Sequence, residues 1–441
     1  MYNIADFGAA GDGRALDTQA IQKAVDACHA AGGGTVLVPA GKTFVTGTVR
    51  LKGRVTLHVE NGARLLSSDN PDHFTGSPYE AMIAADGADH VAITGQGVID
   101  GRARAFMTAE LPHIFRGARR RPHTIVLTGC RHVTIRDVTI QNAAHWALHP
   151  AGCQDVLIHG IRILNDLKVP NGDGIDPDHC RNVRICDCHV EAGDDCICIK
   201  NERPGMDLGP TENITVTGCT LISTSSAIKI GSGSCNDFRN LVFQGCVVSA
   251  SNRGLGIQMR DEGNLEDVIF ADMVVQTRLF HSSWWGKAEP IYVTAIPRVP
   301  GRPLGRVRHV RFSNILCRAE NGAYIAGSPE SPIEDLVLDG VRIQVDKWTK
   351  WPGGWYDRRP CSIPPDGTPP EAEPGLVRHA TAGVYAEYAK GLVLRNTEIA
   401  WGPNVQADWG HALEAHHVAD LRLEGFRGAA GRPGLEPTVI D

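Results

Sequence analysis

His132-Val133-Thr134-Ile135-Arg136-Asp137-Val138-Thr139-Ile140, followed by Asp155-Val156-Leu157-Ile158-His159-Gly160-Ile161-Arg162-Ile163, decides the fold. Each segment opens on a polar residue, alternates apolar positions, breaks at a small polar turn and resumes with a second apolar stretch. The pattern returns at Asn182-Val183-Arg184-Ile185, Asn213-Ile214-Thr215-Val216, Asn240-Leu241-Val242-Phe243, Asp267-Val268-Ile269-Phe270, His309-Val310-Arg311-Phe312 and Asp335-Leu336-Val337-Leu338, with the last copies starting at Gly391 and Asp420. From Asp155 to Asp267 the starts fall 27 to 31 residues apart. That is too short for a strand, a helix and a return strand, and suits several short strands joined by turns. The spacing predicts an all-β solenoid, a parallel β-helix. Its coils stack about 4.8 Å apart, so equivalent positions in successive repeats become lateral neighbours. The wider gaps, Asp267 to His309 and Asp335 to Gly391, read as loop insertions rather than linkers. The expected organisation is a single β-helix domain over 1–441, with insertions near 102–122, 277–308 and 346–385.

Two features flank this pattern. Cys188, Cys219 and Cys246 each fall six residues after a repeat start, and Met273 and Ile315 continue the series, which predicts an inward-facing ladder of small buried groups. The pairs Cys186/Cys188 and Cys196/Cys198 follow strand alternation and lack the two-residue gap of a zinc knuckle, so no metal site is expected. Upstream, Asp17 to Ala31 carries Ala20, Ile21, Ala24, Val25 and Cys28 at helical spacing and runs into Gly32-Gly33-Gly34. This predicts one amphipathic helix, placed to cap the open end of the stack, where core and strand edges would otherwise be exposed.

Composition limits the function classes. A net charge of −6 over 441 residues gives no general attraction to nucleic acid or an anionic membrane. No run approaches about 18 apolar residues, so no membrane-spanning helix is expected. Arg116, Arg119, Arg120 and Arg121 form the clearest basic run, read first as a solvated loop and second as an anion site. Thirteen cysteines without regular spacing argue for free thiols and a reducing compartment. The N-terminus shows no basic segment followed by an apolar one, so the expectation is a cytoplasmic protein, or a secreted one if a leader has been removed.

The N-terminal segment "FGAAGDG…DTQAIQKAVDACHAAGGGTVLVPAG" is similar to the signature of pectin lyase-like right-handed parallel β-helix proteins. "GQGVIDG" (Gly95 to Gly101), "NAAHWALHP" (Asn142 to Pro150), "NGDGIDPD" (Asn171 to Asp178), "GDDCICIK" (Gly193 to Lys200) and "WWGKAEPIYVTAIPR" (Trp284 to Arg298) together resemble glycoside hydrolase family 28, the polygalacturonase family. The motifs run in order from the N-terminus to about residue 300. The resemblance implies hydrolysis of O-glycosidic bonds in pectic or related plant glycans or glycosides, with inversion and without a cofactor.

Inversion requires a protonated carboxyl for the leaving oxygen and, about 6.5 to 9.5 Å away, a carboxylate holding water. Asp173 lies 21 residues before Asp194 and just over that before Asp195, roughly one short coil, which predicts adjacent coils and a separation in that range. Crowding raises at least one carboxyl pKa, so an acid and a base can coexist near neutral pH. By resemblance Asp194 corresponds to the general acid, Asp173 and Asp195 to the residues that activate water, and Asn171 to the Asn of the family's Asn-x-Asp motif. Asp176 and Asp178 are open to two readings, as site residues or as caps of solenoid turns.

The sequence departs from the family where the substrate is held. Ser226 stands where the resemblance expects the His of a Gly-His-Gly motif, and Gly256-Ile257-Gln258 where it expects Arg-Ile-Lys. Charge-assisted bonds to a sugar carboxylate, about 1.5 to 3 kcal/mol each, are missing there. Gln258 suits neutral hydroxyls, while Lys229 and Arg260 are candidates to restore positive charge from shifted positions. Trp284, Trp285, Tyr292, Trp348, Trp351, Trp355 and Tyr356 cluster in the insertions, as sugar-stacking faces or as loop anchors; Trp401 and Trp409 read as anchors. The insertions, with Phe106 to Arg121 as a further wall, would close one end of a cleft and favour exo action on an oligosaccharide, polysaccharide or glycoside. Two other classes stay open: a polysaccharide lyase on the same fold, with Lys200 or Arg260 as base and often calcium, and a non-catalytic carbohydrate-binding β-helix.

Overall fold

The computed structural model describes residues 1–76, 78–203, 208–359 and 375–441. Cys361 and the centre of the 346–385 insertion lie outside these residues. Among the described residues the chain forms an all-β structure with one α-helix, and its residue contacts divide it into two compact units. One comprises Met1–Asp194 with Pro204–Thr215, the other Asp195–Arg203 with Val216–Asp441.

Both units are built from parallel strands of successive coils paired in register. In the first, Leu57, Ile93, Ile135, Ile158 and Ile185 stand in one column across strands Val55–Val59, Ala92–Gly95, Arg131–Arg136, Gln154–His159 and Arg181–Cys186. All five are buried. In the second, Phe243, Phe270, Phe312, Leu338 and Leu394 form the equivalent column, with ring centroids 4.6 and 4.8 Å apart between the phenylalanines. The ring spacing equals the coil rise because identical residues occupy the same register position. Cys188, Cys219, Cys246, Met273 and Ile315 are all buried, Met273 pairs with Ile315, and the described cysteines are free thiols.

The backbone explains why each repeat opens as it does. His132, Asp155, Asn182, Asn213, Asn240, Asp267, His309, Asp335, Gly391 and Asp420 all adopt positive φ, between 46° and 73°. Five residues after each stands a second left-handed residue: Asp137, Gly160, Asp187, Gly218, Gly245, Asp272, Asn314, Gly340, Asn396 and Gly425. Each repeat therefore has a left-handed bend on either side of its short strand. Asn, Asp and His tolerate this conformation several-fold better than other non-glycine residues, and glycine adopts it without penalty. The first bends also bond to one another: Asn182 Nδ2 donates to Asp155 Oδ1 at 2.9 Å, and Asn213 Nδ2 donates to Asn182 Oδ1 at 3.0 Å.

The helix spans Thr18–Ala30 and buries Ala20, Ile21, Ala24, Val25 and Cys28, the expected face. That face packs against the strands Gly34–Val38 and Val49–Arg50. Among the described residues no helix is long and apolar enough to cross a membrane.

Candidate active site

In the first unit, Asp173 and Asp194 are brought together. Both are buried, and an oxygen of one lies within 4.8 Å of an oxygen of the other. The backbone of Asp173 is fixed because its carbonyl accepts from Ala147 N at 3.0 Å, while Gly174 O accepts from Leu148 N at 3.0 Å. Asn165, also buried, bridges the turn: its Oδ1 accepts from Ala143 N and its Nδ2 donates to Gly172 O. Asp194 is delivered by Gly193, where a Cβ would stand 2.4 Å from Val169 O and 2.8 Å from Asp166 O. Only glycine allows that approach, so the Gly-Asp pair has a packing reason beside its chemical one.

Arg121 completes this half. Its Nη2 donates to Asn171 Oδ1 at 2.9 Å and its Nη1 to the carbonyls of Ala144 and Pro170. Burial pulls its pKa down, and the fields of Asp173 and Asp194 oppose that loss. The basic run therefore divides. Arg116, Arg119 and Arg120 are exposed, as expected of a solvated loop, with Arg120 paired to Asp72 and Glu80. Arg121 turns inward to face the two carboxylates, a correction that the run alone does not signal. Asp178, fully buried, lies 3.3 Å from His149 Nε2, and Asp176 is equally buried, so neither caps a solvent-facing turn. His149 belongs to an aromatic group with Tyr79, His123, His145 and Trp146, at centroid distances of 4.5 to 6.4 Å.

In the second unit, Asp195 is supported by several groups. Its Oδ2 accepts from Lys229 Nζ at 2.5 Å; its Oδ1 accepts from Ser225 Oγ at 3.0 Å and from the Ser226 backbone N–H at 3.1 Å. Burial alone would raise its pKa, yet the charges of Lys229 and Lys200 and the hydrogen bonds outweigh it, and the group is held below the ordinary carboxylate range. Asp195 is thus ionised. Lys229 is committed to this carboxylate rather than standing free for a sugar, and Ser226 contributes through its backbone while its side chain is buried. Lys229 stands in register beside Cys198, which is how the next coil brings Ser225, Ser226 and Lys229 to one carboxylate.

Other predicted substrate residues lie inside the second unit. Gln258, 9% exposed, stands in register between Gly231 and Thr294. Tyr292 stacks in a ladder with Tyr324 and Tyr385, donates its hydroxyl to Asp357 O at 2.5 Å and carries the Arg253 guanidinium 3.5 Å from its ring centroid. Trp284 and Trp355 are 1% and 5% exposed. With no open face, these three rings anchor loops instead of stacking on sugar, as do Tyr356 and Trp409. Trp285 is half-buried under Arg359, 4.2 Å from its centroid. Trp348 and Trp351 keep partial exposure and line a pocket of about 520 Å³ with Asn404 and Gln406. Beneath the anchors, Arg253, Glu289, Asp357, Arg359 and Lys287 form a buried ionic network. Burial raises Glu289, while Arg359, Lys287 and Arg253 hold Asp357 far below its usual range against the same effect. Arg260 is also buried, with Nη1 donating to Met259 O and Thr294 Oγ1.

The profile of Glycosyl hydrolases family 28 matches residues 28–277. A protein of Vitis vinifera named "Probable polygalacturonase" is 32% identical over 413 residues, covering 83% of this chain and 81% of that protein. Among solved structures, the hyperthermoactive exopolygalacturonase of Thermotoga maritima aligns with a TM-score of 0.66 at 25% identity, covering 78% of this chain and 86% of its own. The family 28 exopolygalacturonase of Yersinia enterocolitica aligns at 0.67 and 18% identity over 96% of this chain and 77% of its own, a likeness of fold.

Proposed function

The chain belongs to glycosyl hydrolases family 28 and is a glycoside hydrolase, and we propose that it removes sugar residues from the ends of pectic oligosaccharides with inversion. The observation that carries the reading is the set of hydrogen bonds around Asp195. A carboxylate held by Lys229, Ser225 and the Ser226 N–H keeps its charge in a buried setting, the state a water-activating base needs. In this reading Asp195 and Asp173 draw the proton from water as it attacks the anomeric carbon. Asp194 gives its proton to the departing glycosidic oxygen, so both protons are accounted for. The nearest oxygens of Asp173 and Asp194 lie within 4.8 Å of one another, a shorter separation than the 6.5 to 9.5 Å set out for an acid and its opposed base. Crowding of those two carboxyls favours a retained proton on one of them. The Thermotoga maritima relative, named an exopolygalacturonase, supports the exo mode. A right-handed coil and a capping role for the helix Thr18–Ala30 belong to the same proposal; the buried apolar face of that helix supports it.

Incubation with trigalacturonate and polygalacturonate tests this directly. Monomer released from the outset, of inverted anomeric configuration by NMR, is the expected result. Asp194→Asn is expected to abolish release with an unchanged melting curve. Full turnover by that variant, or an unsaturated uronide product, defeats the assignment.

A further inference from the structure

In the first unit, the row of left-handed bends that opens each repeat places metal-ligating side chains next to one another. Asp89 pairs in parallel with Arg131, Arg131 with Gln154 and Gln154 with Arg181, so the following residue of each coil, His90, His132, Asp155 and Asn182, stands in one row. All four bend at φ between 53° and 56°. A coil rise of about 4.8 Å therefore sets their side chains side by side.

The imidazoles of His90 and His132 stack with centroids 4.4 Å apart, and both rings aim at the same atom. Asp89 Oδ1 lies 2.7 Å from His132 Nδ1 and 3.1 Å from His90 Nδ1. The three residues each offer one ligand atom within 4.8 Å of the others. A tetrahedral zinc ion, bonded at about 2.0 to 2.2 Å to imidazole nitrogen and carboxylate oxygen, holds its donors about 3.3 Å apart. Two of the three edges need only a small opening to admit it. As a cluster of ion pairs the same arrangement is poor, because two stacked imidazoliums repel each other and one carboxylate cannot neutralise both.

The far side of the His132 ring is supported as a ligand's should be. Its Nε2 faces Asp155 Oδ2 at 3.9 Å, and Asp155 is itself held by Asn182, whose Nδ2 donates to Asp155 Oδ1 at 2.9 Å. A histidine that gives Nδ1 to a metal carries its proton on Nε2, and a carboxylate on that side fixes the tautomer and raises the ligand's basicity. The side chains of Asp89, His90 and His132 are 59%, 62% and 50% exposed, so an ion reaches them from solvent and water completes its coordination.

We infer that Asp89, His90 and His132 form a site for a divalent first-row transition ion of the zinc type, with Asp155 orienting His132. The ion joins one coil to the next across the segment that holds the insertion near 102–122. No short motif marks the site, because register and not sequence spacing brings the two histidines together.

Calorimetry of chelator-stripped protein titrated with zinc chloride tests the site, with calcium and magnesium chloride as controls. His90→Asn and His132→Asn keep a residue that tolerates the left-handed bend. Each is expected to weaken zinc about 100-fold, and Asp155→Asn about 10-fold, the two ends of the range for disturbed ligands and their orienting partners. Zinc is expected to raise the melting temperature of the wild-type chain and not that of His132→Asn, whose melting curve without metal should stay close to wild type. Cobalt(II) bound in place of zinc is expected to give visible d–d absorption without a thiolate charge-transfer band. Zinc affinity unchanged in both histidine variants overturns the site. Displacement of zinc by equal calcium or magnesium does the same, by reducing the cluster to a patch of negative charge. A thiolate band that survives in His132→Asn and is lost in Cys186→Ser also overturns it, by moving the ion to His159, Cys186 and Asp187.

Discussion

Replacing Lys229 by Met should unmake Asp195 as a base. The ammonium sits 2.5 Å from Oδ2, with the carboxylate 2% and the lysine 14% exposed, so solvent screens the pair weakly. Breaking a buried pair by removing one partner costs about 3–5 kcal/mol. Lys200 and the bonds from Ser225 and Ser226 persist, which places the loss at or just below the bottom of that range, about 2–3 kcal/mol. The Asp195 pKa then rises, because the largest charge holding it down is gone. The sign is fixed by the direction of the native shift. A depressed carboxylate stabilises the fold above its unfolded pKa and loses that contribution as pH falls through the folded value. In Lys229→Met the folded pKa moves up, so stability at neutral pH drops, and the acidic limb of kcat/KM moves to higher pH. Lys229→Arg should restore most of the limb. A pH–rate profile superimposable on wild type, together with an unchanged melting temperature, would refute the role given to this pair.

Three further outcomes follow from the geometry. Gly193→Ala forces a Cβ against Val169 O, and chemical denaturation should show a loss of about 2–4 kcal/mol with activity reduced as Asp194 is displaced. Asn182→Val puts a β-branched residue at φ 56° and removes two ladder bonds, and the same measurement should show about 2–3 kcal/mol, whereas Asn182→Gly should cost under half as much. His379 and His416 flank Glu414 at 3.1 and 3.0 Å, and their hydrogen bonds to it raise both imidazole pKa values. Raised values stabilise at acidic pH and lose that effect as pH climbs through them, so the melting temperature should decline across the neutral range in wild type and flatten in Glu414→Gln.

What the sequence discloses and what it hides follow from the same geometry. The repeats are legible because each coil must bend through a left-handed residue, and Asn, Asp, His and Gly are the residues that do so cheaply. The three catalytic candidates are legible because acids in an apolar strand need a use. Arg121 is hidden: among exposed Arg116, Arg119 and Arg120, what distinguishes it is its hydrogen bonds to Ala144, Pro170 and Asn171, the last fifty residues on. Tyr292, Trp284 and Trp355 mislead for the opposite reason. An aromatic in an insertion has the composition of a sugar platform, but Tyr292 shares a register position with Tyr324 and Tyr385, and register alone decides that it stacks on tyrosine.

Parallel coil stacking also explains why chemistry concentrates where the strand pattern is broken. Within the columns, similar apolar residues recur from coil to coil, and an isolated charge introduced there would be buried without compensation. Asp195 escapes that penalty because the next coil supplies Ser225, Ser226 and Lys229 at matching height, so the carboxylate stays ionised without water.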